Sequence, residues 1–299
     1  MTTVRAVSGG RRAAPVAPPQ PVPSAGSRPP QVWRLGLARG GVELRMFWRD
    51  RNLVVFTFAL PLVLLALLGA VFGDEPPDGG PGGAGASSAM LLTASMLSAG
   101  VASAAFTGLG TGVAVDRDDG TLRRLRGVPM PAAAYVVGKI ILTLVVCLGS
   151  VAVLLAAGAL LFDLPLPREP QRWLTLTWVF LLGGASCALL GIAASSLALT
   201  ARSVGAVMNL PYLVLAFVSG VFVVPVTALP PALVAVGSLF PMKWMAQGFR
   251  SALLPDELRA LEIAGAWEHG RVALVLAAWC LGGLLLCLTT FRWRGRRDG

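Results

Sequence analysis

The chain is poor in the residues on which enzyme chemistry usually depends. Of its 299 residues, one is histidine, four are cysteine and 13% are charged. No H-E-x-x-H or G-x-S-x-G pattern occurs, and His269 stands beside Glu268 in a predicted outer loop. The cysteines lie in apolar runs without the paired spacing of a zinc site. We therefore expect no catalytic residue, no metal site and no enzyme activity in this chain.

A nucleotide-binding loop is also missing from the sequence. Gly138 and Lys139 match the end of a phosphate-binding loop, but Ile140 stands where Ser or Thr is needed and no glycine opens the motif. The predicted membrane spans carry no Asp or Glu, which proton-coupled exporters ordinarily need as a relay. We therefore expect no cofactor in this chain and a source of energy in another protein.

What the sequence has instead is a series of long apolar runs. Hydrophobic residues make up 55% of the chain and its mean hydropathy is +0.72, values typical of membrane proteins with several spans. Six runs are long enough to cross a hydrocarbon core of about 30 Å as helices. They predict an all-α integral membrane protein with spans at 53–72, 88–115, 132–162, 173–199, 204–224 and 272–290.

The distribution of charge predicts the orientation. The net charge is +10, and Lys and Arg concentrate in the predicted inner segments whereas acids exceed bases in the outer ones. That division is the positive-inside pattern, and it explains the basic balance better than a nucleic-acid groove does. We expect a multi-pass protein of the plasma membrane, in contact with lipid, without a nucleic-acid partner and with both termini in the cytoplasm.

The ends of the chain differ from the six-span domain at 53–294. Residues 1–30 hold seven prolines and no hydrophobic periodicity, which predicts a disordered cytoplasmic tail, and 295–299 form a second short tail. In 31–52, arginines mix with apolar residues that include two tryptophans, a composition typical of a helix in the headgroup region. A loose basic flank is the alternative, since two adjacent glycines weaken a helix here.

One densely charged segment, 116–131, lies between two spans. Its acids precede its bases, as the dipole of a short helix favours, and two leucines three residues apart would share one face. The segment predicts a short amphipathic surface helix that prolines end, and a solvated loop whose arginines fix the topology is the alternative. Its candidate functional residues are Asp116, Arg117, Asp118, Asp119, Gly120, Thr121, Leu122, Arg123, Arg124, Arg126 and Pro129.

Two spans carry candidates for a substrate path or for helix packing. The second span has small residues every four positions, which let helix backbones approach closely, and the fifth carries an amide that needs a partner. These candidates are Ser95, Ser103, Thr107, Asn209 and Phe217.

The apolar pieces between 225 and 270 are short and are cut by prolines. None reaches the 18 residues of a span, so we expect re-entrant or interfacial helices on the outer side. Their candidate residues, with the charged ones as a polar edge, are Phe240, Pro241, Lys243, Trp244 and Arg250.

Two of these stretches carry a resemblance to a known family. The order acid, Arg, acid, acid, Gly-Thr-Leu after the second span resembles the cytoplasmic loop of ABC-2 type transporter permeases. FPMKWMAQGFRSALLP at 240–255 resembles the segment between the last two spans of the drug-export branch, the daunorubicin-resistance type permeases. The resemblance covers Trp33 to Arg294. It departs at Arg123 and Arg124, where family loops often continue the acidic pattern.

The resemblance implies a permease subunit of an ATP-driven exporter. A separate ABC ATP-binding subunit would hold ATP and Mg²⁺, the 116–126 segment would dock on it, and a second permease subunit, identical or related, would complete the path. The implied cargo is a lipophilic drug, antibiotic or lipid-like molecule, hence multidrug efflux or antibiotic resistance. Alternatives are export of polysaccharide or lipid, a secondary transporter or channel for a small amphipathic solute that uses Asn209, and a membrane enzyme.

Overall fold

The computed structural model describes residues 32–72, 87–121, 132–197, 201–223 and 225–290, and within them all regular structure is helical. The predicted all-α architecture is therefore confirmed, while the predicted tails at 1–30 and 295–299 lie outside the described residues. The helices are α1 Val32–Arg49, α2 Arg51–Phe72, α3 Ser88–Asp118, α4 Ala132–Leu161, α5 Pro170–Ser195, α6 Ala201–Val218, α7 Pro231–Ser238, α8 Pro241–Leu253 and α9 His269–Thr290.

Five of the described helices, α2, α3, α4, α5 and α9, are long and apolar enough to cross a membrane. The predicted fifth span corresponds to α6, whose apolar part is shorter, Ser203–Val218. The prediction extended this span to residue 224, but the helix ends at Val218. Gly220 follows with a φ of 69°, a left-handed conformation that commonly ends helices. The protein is a multi-pass membrane protein, and six spans remain a prediction.

Helix α3 occupies the centre of the fold. Nearly all side chains of its first half, Ser88–Ala102, are buried against α2, α4, α5 and α8. A Cβ atom on Gly100 would lie 2.5 Å from the Ser150 hydroxyl oxygen of α4, and one on Gly158 would collide with Thr93. Gly100 of the second span therefore lies in a close helix contact, which supports the packing role predicted for the small residues of this span.

The middle of α3 changes its hydrogen-bond pattern. Residues Ser103–Gly108 form a π-helical segment, a local irregularity that is rare in helices and frequent at functional positions. Just beyond it, a Cβ atom on Gly110 would lie 2.7 Å from the carbonyl oxygen of Gly191 in α5. A Cβ atom on Gly191 would in turn collide with the backbone of Phe106. Two backbones meet here without side chains between them.

The first described helix, α1, packs along the start of α4. A Cβ atom on Gly36 would lie 2.5 Å from Val137, and one on Gly40 would lie 3.0 Å from Ile141. These glycines cost helix propensity, but they also let α1 pack directly against α4. Residues Val32–Arg49 thus form a continuous helix, and the alternative prediction of a loose basic flank is wrong. Its position in the headgroup region remains a prediction.

Helices α7 and α8 form a hairpin in which α8 is buried and α7 is largely exposed. Helix α8 runs antiparallel to α5, with Met245 against Gly183 and Gly248 against Val179. At the tip of the hairpin the Trp279 Nε1 of α9 donates a hydrogen bond to the Leu239 carbonyl at 2.7 Å. Trp279 lies ten residues into α9, which corresponds to about 15 Å from the start of that helix. The tip of the hairpin therefore lies beside the middle of α9, and a re-entrant position in the membrane remains a prediction.

Candidate functional site: two buried ionic clusters

The first cluster joins three helices at the end of α3 that leads into the charged segment. The Asp116 Oδ2 atom lies 2.8 Å from the Lys139 Nζ atom of α4. The same Nζ donates to the Glu43 Oε2 atom of α1 at 3.0 Å, and the Tyr135 hydroxyl donates to Asp116 Oδ2 at 2.9 Å. Arg39 Nη2 donates to Glu43 Oε1 at 2.6 Å. We call Arg39, Glu43, Asp116, Tyr135 and Lys139 the Asp116 cluster.

The Asp116 cluster is balanced in charge and largely closed to solvent. Two cations face two carboxylates, and the exposed fractions are 9% for the Lys139 side chain, 7% for Glu43 and 18% for Asp116. Burial of one unpaired charge would cost several kcal/mol, so each member depends on its partners. The cluster therefore connects α1, α3 and α4.

The residue after Asp116 makes a contact with a fourth helix. Arg117 Nη2 donates to the carbonyl oxygen of Ser195 at 2.7 Å. Ser195 is the last residue of α5, where free carbonyl groups and the helix dipole favour a cation. Two consecutive residues at the start of the charged segment thus bind the ends of different helices.

Only the first part of the predicted charged segment lies within the described residues. Helix α3 continues through Asp118, Asp119 Oδ1 accepts a hydrogen bond from the Thr121 backbone N–H at 3.1 Å, and Gly120 has a φ of 75°. The glycine thus ends α3 in a left-handed conformation. The remaining candidates lie outside the described residues: Leu122, Arg123, Arg124, Arg126 and Pro129.

The charges at the end of the second span differ from the sequence prediction. Lys139, within the predicted third span, is held between Asp116 and Glu43. The second span was predicted to end at residue 115 and to lack acids, but the candidate spanning helix α3 continues to Asp118 and so includes Asp116. The predicted span ended at residue 115 because the hydropathy falls at Asp116, although the helix continues.

The second cluster lies at the other end of α3. Arg250 of α8 binds Glu262 in a bidentate pair, with Nε to Oε1 at 2.6 Å and Nη2 to Oε2 at 3.1 Å. Its Nη1 atom donates to the Ser95 hydroxyl of α3 at 2.9 Å. The side chains of Arg250 and Glu262 are only 1% and 4% exposed. We call Ser95, Arg250 and Glu262 the Arg250 cluster.

The charged residues of α8 do not form the polar edge that the sequence predicted. Every residue of this helix is buried, including Pro241, Lys243, Trp244 and Arg250. The Lys243 ammonium lies 3.9 Å from the centre of the Trp244 ring, and burial lowers the pKa of Lys243. Phe240, directly before α8, stacks on Trp279 at 5.9 Å. The polar side of α8 therefore faces other parts of the protein.

The residues proposed for a substrate path occupy three separate places. Ser95 belongs to the Arg250 cluster, and Ser103 is half-buried at the start of the π-helical segment. The Thr107 hydroxyl is buried and has no hydrogen-bond partner among the described residues. Asn209 and Phe217 are both exposed on α6. Ser95 is buried whereas Asn209 and Phe217 are exposed, so these candidates do not share one environment.

Sequence reasoning missed Glu43, Tyr135 and Glu262. Glu43 had a weak signal, because it is the only acid in the arginine-rich α1 and lies four residues after Arg39. Tyr135 and Glu262 had no signal, since their partners come from helix contacts that hydropathy does not describe.

A bundle of long apolar helices with charges paired near the helix ends defines a multi-pass membrane protein. The sequence profile of the ABC-2 type transporter family matches residues 41–254. The chain belongs to this family, and it is a permease subunit of an ABC transporter. No curated protein matches the chain. The matched region includes Glu43, Asp116, Tyr135, Lys139 and Arg250.

Proposed function

We propose that this chain is the permease subunit of an ATP-driven exporter, and that the Asp116 cluster couples its helices to the ATPase. One observation carries the proposal: Asp116 and Arg117, at the start of the charged segment, bind α4 and α5 respectively. A movement of the segment would therefore displace two helix ends at once. Lys139 extends the same connection to Glu43 of α1.

The chemistry of Lys139 suits a contact that changes during transport. Its ammonium is a compact charge with rotatable donors, unlike the rigid fork of an arginine. Held between Asp116 and Glu43 at 2.8 and 3.0 Å, it can strengthen one bond as the other lengthens. A switching contact of this kind biases a packed interface between two arrangements.

The proposed partner is an ABC ATP-binding subunit, in which ATP and Mg²⁺ would be bound and hydrolysed. The 116–126 segment would dock on it through Arg123 and Arg124. We expect the double variant Arg123→Glu, Arg124→Glu to insert in the membrane but to lose ATP-driven transport, or to lose binding of the ATPase subunit. Co-purification of the ATPase and vesicle transport assays measure both effects.

A matched control makes the same change in net charge at the C-terminal end of the chain. Arg296→Glu with Arg297→Glu also removes two inner arginines but leaves the docking segment intact. If both double variants behaved alike, or if the first retained full transport with an unaltered complex, the docking role would be wrong.

The proposed cargo is a lipophilic molecule with few polar groups, such as a drug, an antibiotic or a lipid-like metabolite. A charged cargo would need ionic partners along its path. In both clusters the charges already bind one another, and the exposed side chains of α6 are mainly apolar, with Leu210, Leu213 and Phe217 among them. Aromatic and aliphatic surfaces suit cargo that enters from the membrane.

The cargo can be tested with lipophilic cations and anthracycline-like compounds in a sensitive host. We expect lower accumulation in cells that express the permease with an active ATPase than in cells with an ATPase-dead partner. If no compound accumulates less, drug export is excluded for that panel and a lipid or polymer becomes the better proposal.

We also propose a second permease subunit against the exposed side of α6. Asn209 is exposed there among apolar side chains, and an amide that faces lipid lacks a hydrogen-bond partner. In a two-fold dimer, the same amide of a second copy could supply that partner. We expect Asn209→Cys to form an intermolecular disulfide under mild oxidation, whereas Leu274→Cys on α9 should not. Equal cross-linking at both positions would argue against this interface.

A further inference from the structure

An apolar groove of about 490 Å³ runs between α1, α2 and α4. Its walls include Phe47 and Trp48 of α1, Phe58 of α2, and Gly149, Ala152 and Val153 of α4. Almost no polar surface lines it. The three rings pack on one another, with centroid distances of 5.8 to 6.3 Å. The groove is therefore a preformed apolar site.

The position of the groove along α4 indicates an elongated occupant. Its α4 wall extends from Val145 to Val153, a length of about 12 Å at the rise of an α-helix. Phe58 lies over Gly149 of this wall, because a Cβ atom there would be 3.2 Å from the Phe58 ring. Helix α4 forms a wall of this groove and is one of the candidate spans. A hydrocarbon chain matches both the length and the lining.

Exposed arginines lie beside this groove. Arg45 and Arg49 belong to the last turns of α1, and Arg51 begins α2. Residues three or four apart share a helix face, so Arg45 lies on the same side of α1 as Trp48 and Arg49. All three arginines are exposed, and none forms an ion pair with another described residue.

Of the three arginines, Arg51 is displaced from the hydrocarbon wall in the direction of the Asp116 cluster. Helices α2 and α4 run parallel, with Phe58 beside Gly149 and Phe162 beside Gly69. Arg51 precedes Phe58 by seven residues and therefore lies about 10 Å nearer the end of the bundle. Arg45 and Arg49 follow Gly36 and Gly40, which face Val137 and Ile141 of α4, and so lie beside the wall itself. Positive charge beside an apolar wall matches the headgroup and chain of one lipid molecule.

We propose that the groove binds an anionic phospholipid of the surrounding bilayer. Its chain would lie along α4 between Phe47 and Phe58, and its phosphate would bind Arg45 and Arg49. The bound lipid would then bridge α1, which carries Glu43 of the Asp116 cluster, to the first span. The proposal requires only the membrane location, so it is independent of the cargo.

Native mass spectrometry of the full chain, extracted from vesicles of phosphatidylcholine and phosphatidylglycerol, tests the proposal. We expect the parent protein to retain phosphatidylglycerol preferentially. The Arg45→Gln, Arg49→Gln variant should lose this preference by about thirtyfold, because each arginine near an anionic headgroup contributes about a factor of five. The Ala152→Phe variant should retain less of either lipid, because the new ring fills the groove.

Two controls use equivalent changes outside the groove. Arg34→Gln removes an exposed arginine from the other end of α1, and Ala156→Phe adds a ring to an exposed position one turn further along α4. Both should bind lipid as the parent does. Equal retention of the two lipids by the parent, or unchanged retention in both groove variants, would overturn the proposal.

Discussion

The two buried ionic clusters lie at opposite ends of the same helix and differ in construction. Ser95 and Asp116, on α3, are separated by about 30 Å at the rise of an α-helix. The Arg250 cluster is a bidentate pair formed within one short stretch of chain and closed to solvent. The Asp116 cluster uses one lysine between carboxylates of two helices and is more open.

This difference supports the proposal that the two ends of α3 have different roles. A bidentate arginine pair has one favourable geometry, whereas a lysine can exchange between two acceptors. The π-helical segment Ser103–Gly108 lies between the clusters and provides an irregular point within α3. We therefore regard the Arg250 cluster as an anchor and the Asp116 cluster as the coupling end.

The comparison depends first on which cluster faces the cytoplasm, and topology is the test with the largest effect. We expect all-or-none labelling of intact cells by an impermeant thiol reagent, with Gly79→Cys modified and Gly295→Cys protected. The native cysteines are buried or half-buried, so their background should be low. The reverse pattern would exchange the roles assigned to the two clusters.

Loss of one partner in the Arg250 cluster should have the largest effect on stability. Arg250→Met leaves Glu262 buried without its cation, which we expect to cost about 3 to 5 kcal/mol. Thermal unfolding in detergent measures the loss. The double variant Arg250→Met, Glu262→Met should recover much of it, because no unpaired charge remains. A single variant as stable as the parent would show that this pair is no anchor.

The corresponding change in the Asp116 cluster should lower the stability less than Arg250→Met does, and it should lower transport more. Lys139→Met leaves Glu43 with Arg39 and Asp116 with Tyr135, so we expect a loss of about 2 to 3 kcal/mol, below the range for fully buried pairs. Transport should fall strongly even in the folded fraction. Unfolding and transport per folded molecule should be measured together, and unimpaired transport would remove the coupling role.

The close approach between α3 and α5 should show the smallest effect. Gly191→Ala places a methyl group against the Phe106 backbone of the π-helical segment, and we expect a loss of about 1 to 3 kcal/mol from overpacking. Gly282→Ala is the control, because nothing lies within 4 Å of its Cβ position. It should stabilise α9 by about 0.5 to 1 kcal/mol. If Gly191→Ala and Gly282→Ala changed the stability equally, α3 and α5 would be able to move apart at this contact without a loss of stability.

Hydropathy predicted most of the spanning helices, because long apolar runs have few alternatives in a membrane. It misplaced the ends of α3 and α6, where the helix continues past Val115 or stops before residue 224. Charge order identified Asp116 and Arg117, but not their partners. Glu43, Tyr135 and Glu262 are recognised only when α1, α4 and the segment after α8 are packed together.

Spin-label distances in the complex with its ATPase test the central claim most directly. One pair, Leu37→Cys with Leu197→Cys, reports on α1 and the end of α5 near the Asp116 cluster. The other, Leu174→Cys with Ile263→Cys, reports on the surroundings of the Arg250 cluster; all four positions are exposed. Between the nucleotide-free and ATP-bound states, we predict a changed distance in the first pair and a constant distance in the second. A constant first distance, or equal changes in both pairs, would contradict the assignment of a coupling end and an anchor.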